Sequence, residues 1–253
     1  MNIVLLGSGN VATHLGKALK LAGHIITEVW SRTFENAQIL ASLLESKAVA
    51  EISKISQQAD IYIISVNDDV IADVAASIPV HDKLIIHTSG SAEIELLENF
   101  SLHYGVLYPL QTFSKEQELE FKEIPLVLEG SSEIIEGVLK EIALQLSPKV
   151  HFLSSEQRRA LHLSAVFACN FTNHLYALAD DLLKMHALDF DLIRPLITET
   201  ARKVQSNAPK NVQTGPAKRK DKKIIDKHLQ LLKADPELQK LYQLLSQSIV
   251  NLK

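Results

Sequence analysis

The stretch Asn2–Ala12 reads NIVLLGSGNVA, a short apolar run followed by two closely spaced glycines. Asn2–Leu6 has the length and composition of a buried strand, and the residues after Gly9 begin an amphipathic helix that ends near Gly23. A strand, a G-x-G-x-x-A turn and a helix in this order form the fingerprint of sheets that bind dinucleotides. The stretch therefore predicts a dinucleotide-binding α/β fold for this part of the chain.

Each position of this fingerprint has a physical role. Gly7 permits a tight turn, Gly9 removes the side chain that would block a pyrophosphate, and the small Ala12 lets helix and strand pack closely. Backbone amides at the start of the helix face the anion. The alternative is an ordinary glycine-rich turn between a strand and a helix. The predicted pyrophosphate site comprises Gly7, Ser8, Gly9, Asn10, Val11 and Ala12.

Apolar runs and helical periods alternate up to about residue 153, which predicts a mostly parallel sheet. The strand candidates are Asn2–Leu6, Ile25–Trp30, Ile61–Ser65, Lys83–His87, Tyr104–Tyr108, Leu126–Glu129 and Val150–Leu153. A helix is expected at Ser132–Leu146. After Ser154 only helical periods follow, to about Met185 and then at Asp189–Asn207, Ile224–Leu232 and Asp235–Asn251. Two domains are predicted: a Rossmann domain, residues 1–153, and an all-helical substrate and dimerisation domain, residues 154–253.

The composition is that of a folded, soluble protein. Among 253 residues, 46% are hydrophobic and 22% are charged, which excludes wholesale disorder, and the net charge of -4 argues against a protein that coats nucleic acid. The single cysteine, Cys169, excludes an intramolecular disulfide and fits a cytoplasmic location. No signal sequence is recognisable. The uncharged stretch Ala160–Ala179 carries too many polar residues for a membrane span.

The end of the second strand indicates which dinucleotide is preferred. An acid is usual there in NAD sites, because it binds the ribose hydroxyls, but this chain reads Ser31-Arg32-Thr33. An arginine between two hydroxyls can bind a 2′-phosphate through charge-assisted hydrogen bonds, so NADP is predicted. The alternatives are that Glu28 is the ribose acid in a shifted register, or that Arg32 is a solvated turn residue.

Two further loops are expected at the same crevice, because ligands of open α/β sheets bind at the carboxyl ends of the strands. Small and hydroxylated side chains there suit a ribose or a nicotinamide. For the first loop, which continues to Asp69, a plain helix cap is the alternative. The predicted cofactor residues are Ser65, Val66 and Asn67 in the first loop and Thr88, Ser89 and Gly90 in the second.

The long helix after Ser154 carries an uncharged polar stripe. At 100° per residue, Asn173 and Asp180 fall within about 20° of His162, and Asn170 lies about 60–80° away. A solvated face usually contains lysines and acids, so a stripe facing the nicotinamide is the favoured interpretation and a solvated surface is the alternative. His162 could exchange protons near neutral pH, and Asn170 could hold a substrate carbonyl or carboxylate. Cys169 is predicted to be a core thiol rather than a nucleophile.

Other segments add substrate candidates and exclusions. Tyr108–Phe113 follows a strand, and its proline could bring Gln111 to the crevice, unless the segment is a plain turn. The basic run within Thr214–Asp221 could contact a phosphate, but such runs are usually solvated loops. The ten histidines form no metal-binding pattern, so no metal is predicted.

Taken together, these motifs resemble those of bacterial Rossmann-like proteins whose C-terminal half is a domain of unknown function, number 2520. More widely, the chain is similar to pyrroline-5-carboxylate reductases, ketopantoate reductases and β-hydroxyacid dehydrogenases. The likeness covers nearly the whole chain. It is carried by Gly7–Ala12 with His14-Leu15, His87–Gly90, Tyr108–Phe113, His162–Asn170, and Thr214–Pro216 with Arg219 and Asp221 before His228-Leu229.

The resemblance implies NADP-dependent reductase chemistry and an all-α, 6-phosphogluconate-dehydrogenase-like second domain that closes over the cofactor and forms a homodimer. It also places Arg219 near an anionic substrate or a subunit interface. Two departures matter. Val166 stands four residues before Asn170, where the β-hydroxyacid dehydrogenases have a lysine, and Tyr108 stands where family members often have histidine. His162 is therefore the candidate acid.

The sequence thus predicts an NADP-dependent oxidoreductase that moves hydride between nicotinamide and a small carbonyl or imine substrate in an interdomain cleft. Asn173 joins Gln111 and Arg219 as a candidate substrate-binding residue. The alternative is a non-catalytic NADP-binding or sensing protein, which the missing lysine favours. The expected partners are a small molecule and a second copy of the chain, without nucleic acid or membrane.

Overall fold

A computed structural model describes residues 1–252, and the chain divides into two compact units, Met1–Asn173 and a second that begins at His174. The first unit contains one eight-stranded sheet. Its strands are β1 (Asn2–Leu6), β2 (Ile25–Trp30), β3 (Lys47–Val49), β4 (Ile61–Ile64), β5 (Leu84–His87), β6 (His103–Pro109), β7 (Leu126–Gly130) and β8 (Val150–Phe152). Its α-helices are α1 (Asn10–Leu21), α2 (Phe34–Leu44), α3 (Ile71–Ala76), α4 (Glu133–Leu146) and α5 (Ser155–Ala165).

The sheet has the order β3-β2-β1-β4-β5-β6-β7-β8. All neighbouring strands are parallel except β6 and β7, which confirms the predicted mostly parallel sheet. The strand order reverses at β1, which lies between β2 and β4, so a crevice is expected at the carboxyl ends of β1 and β4.

Both faces of the sheet are covered, and each has its own hydrophobic cluster. Ile3 and Leu5 belong to the cluster that includes residues of α1 and α4, whereas Val4 and Leu6 belong to the cluster on the opposite face. Because β1 is buried on both faces, its sequence is a continuous apolar run without polar alternation.

Helix α5 begins with a capping box and continues into a π-helical segment. Ser154 accepts a hydrogen bond from the Gln157 amide, and the Gln157 side chain accepts one from the Ser154 amide, forming a capping box. The predicted unbroken α-helix to Met185 is wrong in one respect, because a π-helical segment occupies Val166–Phe171. A π turn closes i→i+5 hydrogen bonds, so the assumption of 100° per residue does not hold across it.

The remaining helices are α6 (Thr172–Met185), α7 (Arg194–Ser206), α8 (Lys222–Leu231) and α9 (Pro236–Val250). The predicted start of the last helix is confirmed: Asp235 accepts a hydrogen bond from the Leu238 amide at 3.0 Å, with Pro236 at the first helical position. Among residues 174–252, Ala217 alone is buried. In the part of the chain that the structure describes, no helix is long and apolar enough to cross a membrane.

Between β8 and residue 252 the structure contains helices but no strand, whereas the compact units divide later, at residues 173 and 174. Helix α5 belongs to the sheet unit because Ser155 and Arg158 are buried, and they form hydrogen bonds with the segment after β5 and with Glu129 of β7. The division at 153/154 into a cofactor domain and a substrate domain stays a prediction.

Candidate functional site

The glycine turn after β1 is shaped for an anion. Gly7 has φ +124°, and a Cβ there would lie 2.0 Å from the Ser65 carbonyl oxygen, so the chain can pass β4 only with glycine at this position. Gly9 caps α1 without a side chain, and the first turn of α1 contains no acid. The space where a Cβ of Gly9 would stand is open. The first amides of α1 are thus left accessible to a phosphate group.

A cavity of about 550 Å³ begins at this turn and is lined by residues of the first unit. Ser31, Arg32 and Thr33 form its lining after β2, and the Ser8 and Ser31 hydroxyls lie 2.8 Å apart. The remaining predicted cofactor residues also line it: Gly7, Ser8, Gly9, Asn10, Val11, Ser65, Val66, Asn67, Thr88, Ser89 and Gly90. Ala12 is buried beneath it in the first cluster.

Glu28, the alternative ribose acid, has a different role. Its carboxylate is buried, accepts a hydrogen bond from the Ser56 amide at 2.6 Å and pairs with Lys47 at 3.4 Å. It does not line the cavity. The end of β2 therefore presents Arg32 and hydroxyls to the cavity, a donor set that fits a 2′-phosphate better than a free ribose.

The loops after β4 and β5 form the opposite wall. Thr88 donates a hydrogen bond to the Ser65 hydroxyl at 3.1 Å, which ties the two loops together. Asn67 precedes a short 3-10 turn, but its side chain makes no capping hydrogen bond and stays exposed at the cavity. Beside it, the Ser91 hydroxyl donates to the Asp68 carboxylate.

The far end of the cavity brings together Tyr108, at the end of β6, and His162, on α5. The Tyr108 hydroxyl and His162 Nδ1 lie 3.0 Å apart, within hydrogen-bonding distance, and the rings meet edge-on with centroids 5.9 Å apart. A Cβ at Gly90 would lie 2.6 Å from His162 Nδ1 and 2.7 Å from Tyr108 Cζ. Glycine at position 90 is therefore what allows this pair to approach the β5 loop. Burial raises the pKa of Tyr108 above its usual value of 10.

Two buried polar groups hold the β5 loop behind the cavity. Arg158 is 0% exposed, and its guanidinium donates to the carbonyl oxygens of Ser89 (2.9 Å) and Ala92 (2.6 Å) and to the Glu129 carboxylate (2.9 Å). His87 Nδ1 accepts a hydrogen bond from the Ser89 amide at 3.2 Å. Burial, reinforced by the nearby Arg158 charge, lowers the pKa of His87 to about 4. His87 is therefore neutral at physiological pH.

The other predicted site residues are more dispersed. Gln111 lines the cavity, with its side-chain oxygen accepting from the Thr112 amide at 2.8 Å. Asn170, in the π segment, and Asn173, on α6, are exposed and do not line the cavity, and Arg219 is exposed in the second unit. The prediction of a core thiol is wrong, because Cys169 lies in a segment with no buried residue and is itself exposed.

Neither Arg158 nor Tyr108 was predicted from the sequence to be a site residue. The signal for Arg158 was its spacing: it lies four residues before His162, so both side chains share one face of a helix whose start the capping box defines. The signal for Tyr108 was its place at a strand end in the predicted crevice. Among residues 1–252, no group of three or more potential ligand side chains is arranged to hold a metal ion.

Family models match both parts of the chain. Residues 2–90 match the family described as NADP oxidoreductase coenzyme F420-dependent, and residues 124–249 match the domain of unknown function DUF2520. The chain is 47% identical to a candidate NADP oxidoreductase from Bacteroides fragilis, with a TM-score of 0.92 over 98% of this chain and 97% of that chain. No curated protein matches the chain.

More distant solved structures share the fold. An imine reductase from Myxococcus stipitatus in complex with NADP+ is 16% identical, with a TM-score of 0.66 over 99% of this chain and 92% of that chain. A reductive aminase from Aspergillus terreus in complex with NADPH4, cyclohexanone and allyl amine is 14% identical, with a TM-score of 0.71 over 98% and 93%. At these identities the likeness concerns the fold alone.

Proposed function

The chain belongs to the family of Rossmann-like NADP oxidoreductases that carry the domain of unknown function 2520, and we propose that it transfers hydride between NADP(H) and a small carbonyl or imine substrate. One observation carries this proposal. A single cavity runs from an open helix N-terminus and an arginine-bearing strand end to a hydrogen-bonded tyrosine and histidine.

The first unit supplies the groups that would hold the cofactor. The fingerprint Gly7–Ala12 would bind the pyrophosphate, and Ser31, Arg32 and Thr33 would bind the 2′-phosphate. The loops that tie Ser65 to Thr88 would flank the ribose and nicotinamide. When bound, NADPH supplies a hydride to an electron-poor carbon of the substrate.

The substrate would be held where the cavity reaches α5. Both His162 and Gln111 line the cavity; His162 would exchange a proton with the substrate, and Gln111 would offer its amide group. We further propose that Asn170 holds a carbonyl oxygen, and that Asn173 and Arg219 contribute contacts to polar or anionic parts of the substrate.

A homodimer through the helical domain is also proposed, together with a cytoplasmic location. The second unit supports the dimer, because Ala217 is its one buried residue within 174–252 and many of its large apolar side chains are exposed. Apolar helix faces are stable when another layer covers them. A monomeric mass by sedimentation at micromolar concentration would contradict the dimer.

A second candidate function is non-catalytic NADP binding or sensing. The observation in its favour is Val166, an apolar residue at the position where the β-hydroxyacid dehydrogenases have lysine. In that case the cavity would bind the nucleotide, and the helical unit would contact another molecule.

Cofactor binding is tested by thermal unfolding. Saturating NADPH should raise Tm by several degrees, and more than NADH does. Gly9→Val should abolish the shift, because the new side chain enters the open space at the turn. Gly137→Val is the matched control, since Gly137 is an exposed glycine in α4 that also has open space around it. If neither NADPH nor any other dinucleotide raised Tm, the proposal would be overturned.

Activity is tested by NADPH oxidation with cyclic imines such as 1-pyrroline and small ketones such as cyclohexanone. Turnover that His162→Ala or Asn170→Ala reduces, without loss of NADPH binding, supports the oxidoreductase. NADPH binding without turnover of any probe favours the sensing protein.

A further inference from the structure

Tyr108 and His162 form a hydrogen-bonded pair at the end of the cavity, so either side chain of the pair could deliver a proton to the substrate. Tyr108 lies one residue before the end of β6, the strand that pairs with β5, and its hydroxyl lies 3.0 Å from His162 Nδ1. Gly90 leaves just enough room for both rings. At the end of the cavity, one proton can therefore lie between the Tyr108 oxygen and His162 Nδ1.

We propose that the Tyr108 hydroxyl delivers the proton to the substrate's carbonyl oxygen or imine nitrogen, and that His162 returns a proton to Tyr108 from solvent. This inference rests on the proposed function and changes the part that His162 plays in it. Tyr108 contacts the reacting atom, and His162 is the relay behind it.

The geometry of the two imidazole nitrogens supports this division. Nδ1 is engaged with the Tyr108 oxygen, so that nitrogen cannot serve the substrate at the same time. If Nδ1 carries the proton, it donates to the Tyr108 oxygen, and the phenol O–H is free to point into the cavity. Nε2 remains to exchange with water, and His162 is only partly buried.

The surroundings suit a neutral phenol that becomes a phenolate only briefly. Burial raises the pKa of Tyr108, which keeps the hydroxyl protonated at neutral pH. The positive charge of Arg158 opposes this shift and stabilises the phenolate once the proton has left, whereas Asp68 and Cys169 act in the opposite sense. Arg158 cannot move away, because two carbonyl oxygens and Glu129 hold its guanidinium.

The proton balance is complete without another reactant. As the substrate carbon gains the hydride, the electron pair of its C=O or C=N bond moves to the heteroatom and takes the Tyr108 proton. The phenolate oxygen then takes the proton from His162 Nδ1, and Nε2 takes one from solvent. Before the next turnover Nε2 returns its proton to solvent and Nδ1 is protonated again, as the phenol O–H turns back towards the cavity. The net result is an alcohol or amine and the uptake of one proton from solvent.

The test compares Tyr108→Phe with Tyr104→Phe. Both tyrosines lie on β6 and are partly buried, but Tyr104 lies outside the cavity lining. The first readout needs no turnover: ¹H–¹⁵N NMR of the histidine side chains at pH 8 identifies which His162 nitrogen carries the proton. We expect a protonated Nδ1 in the wild type and in Tyr104→Phe, and a changed His162 signal in Tyr108→Phe.

The second readout separates binding from proton delivery. Tyr108→Phe should keep the NADPH affinity within about two-fold and lower kcat for 1-pyrroline or cyclohexanone by about 10²-fold or more, as loss of a general acid does. Tyr104→Phe should leave both quantities unchanged. His162→Ala should lower kcat less than Tyr108→Phe does, with partial rescue by added imidazole.

The failures are distinguishable. If the wild type turns over none of the probes, the proposed function and this inference fall together. If the wild type is active but Tyr108→Phe keeps its kcat, or loses NADPH affinity, only the inference is overturned. An unprotonated Nδ1 that accepts the tyrosine proton would overturn it as well, because the hydroxyl proton would then point away from the substrate.

Discussion

The two units of the chain differ in how far they bury their own apolar side chains. The first unit has a cluster on each face of its sheet, with fully buried residues such as Leu5 and Leu139 in one of them. Within residues 174–252 only Ala217 is buried, and large apolar residues stay exposed, among them Leu196 at 66% and Leu231 at 75%. The site described above lies on the well-buried unit.

The first unit buries its apolar side chains within itself, whereas the second unit leaves most of its large apolar side chains accessible. Apolar burial is the dominant favourable term in folding, so the sheet unit has its own source of stability. The helices of the second unit leave many large apolar side chains exposed, which the second copy of the chain in the proposed dimer would cover. Single substitutions should therefore have large effects in the first unit and small ones in the second.

The largest effect is expected at Gly7. Gly7→Ala would bring a Cβ to 2.0 Å from the Ser65 carbonyl oxygen at a residue with φ +124°, and we expect a loss of more than about 4 kcal/mol in the free energy of unfolding. Gly23→Ala is the control, because Gly23 also has positive φ, +89°, but open space around it. It should cost about 1–2 kcal/mol. Equal losses in urea unfolding would show that the close approach to β4 is unimportant.

A leucine in each unit gives the most direct comparison. Leu139→Ala removes a fully buried side chain and should cost roughly 3–4 kcal/mol. Leu196→Ala should change the unfolding free energy by less than about 0.5 kcal/mol in dilute protein, with an effect on Tm that grows with protein concentration if a dimer covers this residue. A loss as large as that of Leu139→Ala at every concentration would mean that the second unit has a core of its own.

The buried His87 makes the first unit sensitive to acid. Its folded pKa of about 4 lies below the unfolded value of 6.5, so the unfolded chain binds the proton more tightly between these pH values. Above pH 6.5, where His87 is neutral in both states, its burial as a neutral group leaves the free energy of unfolding at its full value. As the pH falls from 6.5 towards 4, the free energy of unfolding decreases by about 2–3 kcal/mol. His87→Asn should reduce this loss, measured by urea unfolding at pH 7.5 and 4.5, whereas His151→Asn, at an exposed position, should not. Identical pH dependence in both variants would contradict this account.

Smaller effects than those at Gly7, Leu139 and His87 are expected at helix caps. Ser132→Ala at α4 and Asp235→Ala at α9 each remove a cap that accepts a backbone amide and should cost about 1 kcal/mol. Native-state hydrogen exchange distinguishes the units: Asp235→Ala should speed exchange in α9 and leave β1 and β4 unchanged. Equal acceleration in both units would show that they unfold as one.

The fold was largely predictable because the central strands β1, β4 and β5 are buried on both faces. Short runs rich in apolar residues marked seven of the eight strands, and the bounds of β1 and β2 agree with the predicted ones. β3, a strand of three residues at one edge of the sheet, was not predicted. The π segment was missed because no simple sequence period marks an i→i+5 turn.

The candidate site was predictable at its cofactor end and less so at its substrate end. Local sequence specifies the turn at Gly7 and Gly9, since strand, glycines and helix are consecutive in the chain. The contact between Tyr108 and His162 joins residues 54 positions apart and depends on the room left by Gly90, which no local pattern reveals. Likewise, only the fold distinguishes the buried Arg158 from its partly exposed neighbour Arg159.

The central position of β1 in the sheet also affects how the chain can be assembled during synthesis. β1 pairs with β2 on one side and with β4 on the other, and β4 begins at Ile61. At about 5–20 residues per second, a ribosome needs roughly 3–11 s to add the segment between β1 and β4. Throughout that interval one edge of a strand with four consecutive apolar residues lacks its native neighbour, so the nascent sheet is most exposed to aggregation before β4 has been made.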